Sequence, residues 1–183
     1  MNKVFGKKTD FAPIKEDASR VIISYGFESV DEENATWIEI YFYKKQISQV
    51  SLADVKAAII ADIDARTDEK ILCGFKYADN DGVERNVWLS AENQRNYSEA
   101  QRLADKAGSK NYEAITFKIG EDEEGKACYK TFETLTDLNN FYFAVFDYIK
   151  QCLAQGWQEK DSIDFGPYEA QFPVDENNQT VEE

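Results

Sequence analysis

The sequence predicts an α+β protein in which antiparallel strand pairs pack with two or three helices, the C-terminal helix being long. Three observations lead there. Runs rich in β-branched and aromatic residues come in pairs joined by polar links. Segments whose apolar residues recur every three or four positions lie between the pairs, each opened by Ser or Thr. In the last of these segments the helical stripe holds for four turns.

Taken in order, residues 1–19 are mixed in charge and lack periodicity, which reads as an arm. Arg20–Phe27 (RVIISYGF) and Thr36–Lys44 (TWIEIYFYK) flank a polar link at Ser29–Ala35 and suggest a hairpin. In the second run Trp37, Tyr41 and Tyr43 point one way, and Ile38, Ile40 and Phe42 point the other. Both faces are apolar, so this strand is either covered on both sides or part of a binding surface. Trp37, Tyr41 and Tyr43 are therefore the candidate interface residues.

Ser51 opens a helix, with Asp54 completing an Asp-type capping box. Leu52, Val55, Ile59, Ile60 and Ile63 form its stripe, which fades near Arg66 and Thr67. Ile71–Tyr77 alternates and reads as a strand with Ile71, Cys73, Phe75 and Tyr77 on one face. Asp81-Gly82 turns the chain and Arg85–Ser90 returns. The Asp-Asn-Asp-Gly run lacks the 12-residue ligand pattern of a calcium loop.

Ser90 caps the next helix, whose stripe is Tyr97, Ala100, Ala104 and Ala107, with Gly108 at the position that needs positive φ. Glu113–Gly120 and Lys126–Glu133 form a third strand pair around the acidic loop Gly120–Gly125, read as a solvated hairpin tip. Thr134 and Asp137 start the last helix. Leu138, Phe141, Tyr142, Val145, Phe146, Ile149 and Leu153 form its buried stripe, and Gly156 is expected to end it. The expected organisation is an N-terminal arm and hairpin region at 1–50, a core domain at 51–165, and an acidic flexible tail at 166–183.

Composition narrows the chemistry. A chain of 183 residues buries about 70% of its unfolded surface, so its core needs neither disulfide nor metal. Cys73, Cys128 and Cys152 are odd in number and widely spaced, and each reads as a small buried hydrophobe. There is no histidine, which removes the commonest general acid/base, metal ligand and nucleophile partner. No phosphate-cradling glycine loop or nucleophile elbow occurs. The N-terminal run does not read as a secretory signal, and without an 18-residue apolar run no transmembrane helix is expected.

The net charge of −14 repels phosphates and disfavours nucleic acid as a partner. That charge is uneven. Residues 1–20 carry five basic and three acidic side chains, while seven acidic and no basic residues follow Lys160.

Three segments, in this order, carry a resemblance: ILCGFKY…NVWLSAENQRNY, then ITFKIGEDEEGKACYKTFETLTDLNNFYFAVFDYIKQCL, then AQGWQEKDSID. They resemble a family of small domains of unknown function in tail-associated proteins of tailed bacteriophages and prophages of gut bacteria. The shared features fall at Trp88-Leu89-Ser90, Gln94–Tyr97 and Gly156-Trp157, over roughly residues 50–165. The resemblance supplies no catalytic residues. It implies a virion protein of the tail or fibre region, made in the bacterial host cytoplasm.

The functional expectation is a non-catalytic structural or adaptor protein that binds other proteins. No cofactor, metal, nucleic acid or membrane partner is expected. Its partners would be tail, fibre or connector proteins of the phage, or further copies of itself. Two alternatives stand beside it: a tail-fibre assembly chaperone left out of the virion, and an acidic DNA mimic.

Overall fold

Alternating apolar residues along Arg20–Ser29 (β3) and Asn34–Tyr43 (β4) give each strand two usable faces, and the chain uses both. A computed structural model describes residues 2–172. In it, β3 and β4 are the central strands of a four-stranded antiparallel sheet. Asn2–Lys7 (β1) lines the β4 edge and Ile14–Asp17 (β2) lines the β3 edge. The β3–β4 register sets Val21 opposite Phe42, Ile23 opposite Ile40, Ser24 opposite Glu39 and Tyr25 opposite Ile38. A register shift follows Tyr25, where Gly26 has a φ of 65° that a side chain rarely adopts.

The chain divides into two compact units. The first comprises the residues up to Asp64 and those from Gln158 onward. Its core forms on the sheet face that carries Ile14, Val21, Ile23 and Tyr25. Leu52–Cys73 (α1) lays Val55, Ile59 and Ile63 on that face, all three fully buried. Such burial is worth about 1.5–3 kcal/mol per side chain.

The reciprocal Ser51–Asp54 pair starts α1 as the sequence requires: Asp54 N–H donates to Ser51 Oγ at 3.1 Å, and Ser51 N–H donates to Asp54 Oδ2 at 2.9 Å. The short helix Gly166–Glu169 (α4) adds buried Tyr168, whose hydroxyl donates to the Ser24 carbonyl at 2.6 Å. Burial pushes the Tyr168 hydroxyl up to about 12.

The second unit runs from Ala65 to Trp157. It holds two hairpins, Phe75–Ala78 (β5) with Glu84–Val87 (β6), and Ile115–Glu121 (β7) with Ala127–Phe132 (β8). Ala91–Ala107 (α2) and Leu135–Asp161 (α3) complete it, α3 passing beyond Trp157 into residues of the first unit. Phe141 of α3 is the hub of the core, with ring centroids of Tyr77, Tyr97 and Phe132 within 4.9–5.0 Å.

The turn at Asp79–Val83 is held by Asp79. Its Oδ1 accepts from the N–H groups of Asp81 and Val83, and its Oδ2 accepts from Arg85 Nε at 2.9 Å. The Arg85 guanidinium keeps the Asp79 carboxyl below the ordinary carboxylate range. This carboxylate is committed to the turn itself.

The α+β class and the long last helix follow the sequence, and several details differ. Residues 2–17 of the expected arm are not an arm, because they supply both edge strands. Ile71–Cys73 is the last turn of α1, not strand; Gly74, with a φ of 74°, stops the helix. A Cβ on Gly74 would lie 1.7 Å from the Val87 carbonyl oxygen, so only glycine fits there.

Gly156 does not end α3. It lies inside the helix, where a Cβ would come within 2.4 Å of Thr67 Oγ1, so it marks a close crossing of α1 and α3. Phe146 is more than half exposed rather than core. Cys73 is exposed and Cys128 half-buried, leaving Cys152 as the buried thiol. Residues 166–172 pack through Tyr168 and Phe172 and are no tail; the rest of the expected tail, 173–183, lies outside the described residues. The observed division falls after Asp64 and after Trp157, whereas the expected boundaries were at 50 and 165.

Candidate functional site

The sheet face opposite α1 carries the residues that the sequence singled out. β4 places Trp37, Glu39, Tyr41 and Tyr43 on this face by strict alternation. Trp37 is only 2% exposed. Gly6 of β1 lies under its indole, where an added Cβ would sit 2.8 Å from Trp37 Cη2. Phe11, from the β1–β2 connection, meets it edge-on at 5.9 Å and also contacts Phe27 at 5.0 Å. Trp37 is thus an interior residue. Tyr41 is half-buried and Tyr43 is exposed, with their rings 6.0 Å apart. The Arg20 guanidinium lies over the Tyr41 ring at 4.3 Å.

Glu39 is the chemical centre of this face, and the aromatic pattern alone did not single it out. Its carboxylate accepts from Lys15 Nζ at 2.7 Å, Trp37 Nε1 at 3.1 Å and Tyr41 Oη at 2.9 Å. Burial opposes its ionisation, and the three donors together outweigh burial, holding the carboxyl below the usual range. The same hydrogen bond to Glu39 raises the Tyr41 hydroxyl. A charged residue between two aromatics at i−2 and i+2 was the available signal, and a lysine on β2 completes it.

Ser24, opposite Glu39, is fully buried, and its Oγ has no hydrogen-bond partner among the described residues. The Glu39 carboxylate thus accepts three hydrogen bonds, which offset the cost of its burial.

A second surface belongs to α3. Phe143, Phe146 and Trp157 are 57%, 53% and 59% exposed. With Lys150 and half-buried Leu153 they fall on one strip of the helix, at spacings of three and four. On the opposite side of α3, Phe141, Val145 and Cys152 are buried. A cavity of about 280 Å³ lies in the same unit, lined by Ala104, Ala107, Asn111, Tyr112 and Ile115. Two of its polar side chains are engaged, Asn111 donating to the Ala107 carbonyl and Tyr112 to the Phe132 carbonyl, and Glu113 also lines it.

Among the described residues no group of three or more Cys, Asp or Glu side chains is placed to hold a metal ion. No helix among them is long and apolar enough to cross a membrane.

Comparison with known proteins adds one relation. No curated protein and no solved structure matches the chain. Residues 54–178 match the model of a domain of unknown function, DUF4376, which spans most of α1, all of the second unit and α4. Since that match covers more than half of the sequence, the chain belongs to the DUF4376 family.

Proposed function

We infer that the protein is a non-catalytic structural or adaptor component of a tailed bacteriophage, in the tail or fibre region, and that it works by binding other proteins. The observation that carries the binding part is the strip of Phe143, Phe146 and Trp157 on α3, each more than half exposed. Solvated apolar rings on one helix face are what a partner's groove or helix would cover. Large aromatics also supply most of the energy at protein interfaces. The phage setting rests on the resemblance of the segments from Ile71 to Asp164.

Mass spectrometry of purified particles, from a phage encoding this sequence, tests the reading. The expected result is the protein at a fixed ratio to the major tail protein. Its absence from mature particles, with recovery on immature fibres, would favour the assembly-chaperone reading instead. Phe146→Ser combined with Trp157→Ser should lower its incorporation while leaving the isolated protein folded.

A further inference from the structure

Among the described residues no strand pairs with the outer edge of β1, and its composition departs from the rest of the molecule. β1 pairs with β4 in a register that sets Asn2 opposite Glu39 and Lys7 opposite Asn34. Lys8 N–H, continuing that register, donates to the Glu33 carbonyl at 2.9 Å. The even-numbered residues therefore turn their backbone groups toward β4. By the alternation of an antiparallel ladder, Lys3, Phe5 and Lys7 turn theirs outward. The side chains of these three residues share one face of the sheet. Phe5 is 63% exposed and Lys7 is exposed, while the Lys3 ammonium has only a loose 3.8 Å approach to Glu28. The edge thus reads cation, aromatic, cation at alternate positions, in a protein of net charge −14.

We propose that this edge receives an extended acidic segment of a partner protein as a fifth strand, with the pattern acidic–x–apolar–x–acidic. The outward N–H and C=O groups of Lys3, Phe5 and Lys7 supply the ladder. The two lysines face the partner's carboxylates, and Phe5 covers its central apolar side chain. Cross-strand pairs of these kinds are the units of sheet stabilisation, and strand addition at an open edge is a general mode of peptide capture. Charge also decides between occupants. A second β1 would set lysines near lysines, so lysines on this edge oppose self-pairing. The same lysines favour an acidic strand.

The inference uses a surface separate from α3 and stands or falls independently of the strip of aromatics there. The test uses the full chain, ¹⁵N-labelled, with the peptide Thr-Glu-Thr-Val-Thr-Glu-Thr as probe and the same peptide with Lys for Glu as control. Addition of the acidic probe should slow amide exchange of Lys3, Phe5 and Lys7 by about tenfold or more, and the effect should weaken as salt rises. The control peptide should give none.

Phe5→Pro removes one outward N–H without touching the β4 ladder and should abolish protection at Lys3 and Lys7. Its thermal melt, run alongside, should match that of the parent. Lys3→Glu with Lys7→Glu should exchange the preference between the two peptides. Equal protection by both peptides, or protection that survives Phe5→Pro, would overturn the proposal. So would an oligomer formed by the protein alone through this edge, which would assign the edge to a second copy.

Discussion

Glu39 shows how one residue sets the character of a sheet face. It sits between Trp37 and Tyr41 on β4, and its carboxylate accepts from three donors around it. Glu39→Ala leaves the buried Trp37 N–H and the Lys15 ammonium without an acceptor. The expected cost is about 1–3 kcal/mol, read from urea midpoints. Because the folded state depresses the Glu39 carboxyl, its contribution is present above the unfolded value of about 4.3 and is lost as pH falls through the lower folded value. Acidification from pH 7 to pH 3 should therefore destabilise the parent more than Glu39→Gln. Equal losses in the two proteins would show that other carboxylates carry the acid sensitivity. Trp37 fluorescence should shift over the same pH range, since the indole N–H loses its ionised acceptor.

At the scale of elements, α3 separates two kinds of aromatic that the sequence presents alike. Phe141 and Phe146 both fell on the predicted stripe. The stripe for the core is centred on Leu138, Phe141, Val145 and Cys152, and Phe146 lies at its edge and faces outward. Phe141→Ala should cost about 3–5 kcal/mol by transfer and cavity formation. Phe146→Ser should stay within about 0.5 kcal/mol. Thermal or chemical denaturation of the two variants checks the contrast, and comparable losses would place Phe146 in the core.

Local signals made the elements legible where they were strong. Ser51 with Asp54, Ser90 and Thr134 mark the three long helices, and the structure shows their caps. The last turn of α1 was hidden because Ile71-Leu72-Cys73 reads equally well as strand. Only Gly74, wedged against the Val87 carbonyl, decides for helix. β1 was hidden because a short run with two lysines and Gly6 has no strand signature of its own. It exists through its pairing with β4, some thirty residues away in sequence. The candidate site followed the same pattern. Alternation gave the shared face of Trp37, Tyr41 and Tyr43, but burial of Trp37 depends on Phe11 and Gly6, which no local pattern assigns to it.

The whole molecule is organised by two separate cores. One centres on Phe141, and the other joins the sheet to Val55, Ile59, Ile63 and Tyr168. The second unit is a single continuous stretch of chain, whereas the first is assembled from two stretches that flank it. The net charge of −14 falls mainly on the first unit and opposes its compaction through self-repulsion. Adding salt from about 10 to 150 mM, where the screening length shrinks from about 30 to about 8 Å, should therefore raise the melting temperature. A fall would mean that specific ion pairs such as Lys15–Glu39 outweigh the general repulsion.

Tyr168 fixes an order of events during synthesis. Its hydroxyl closes on the Ser24 carbonyl across a separation of 144 residues, so the sheet's core stays unfinished until the segment carrying Tyr168 has left the ribosome. The stretch from Ala65 to Trp157 is continuous in the chain and encloses the core around Phe141. On a stalled nascent chain it is expected to become protease-resistant while β1–β4, made earlier, remain cleavable. Of the two units, the one whose strands are made earlier is then expected to mature later.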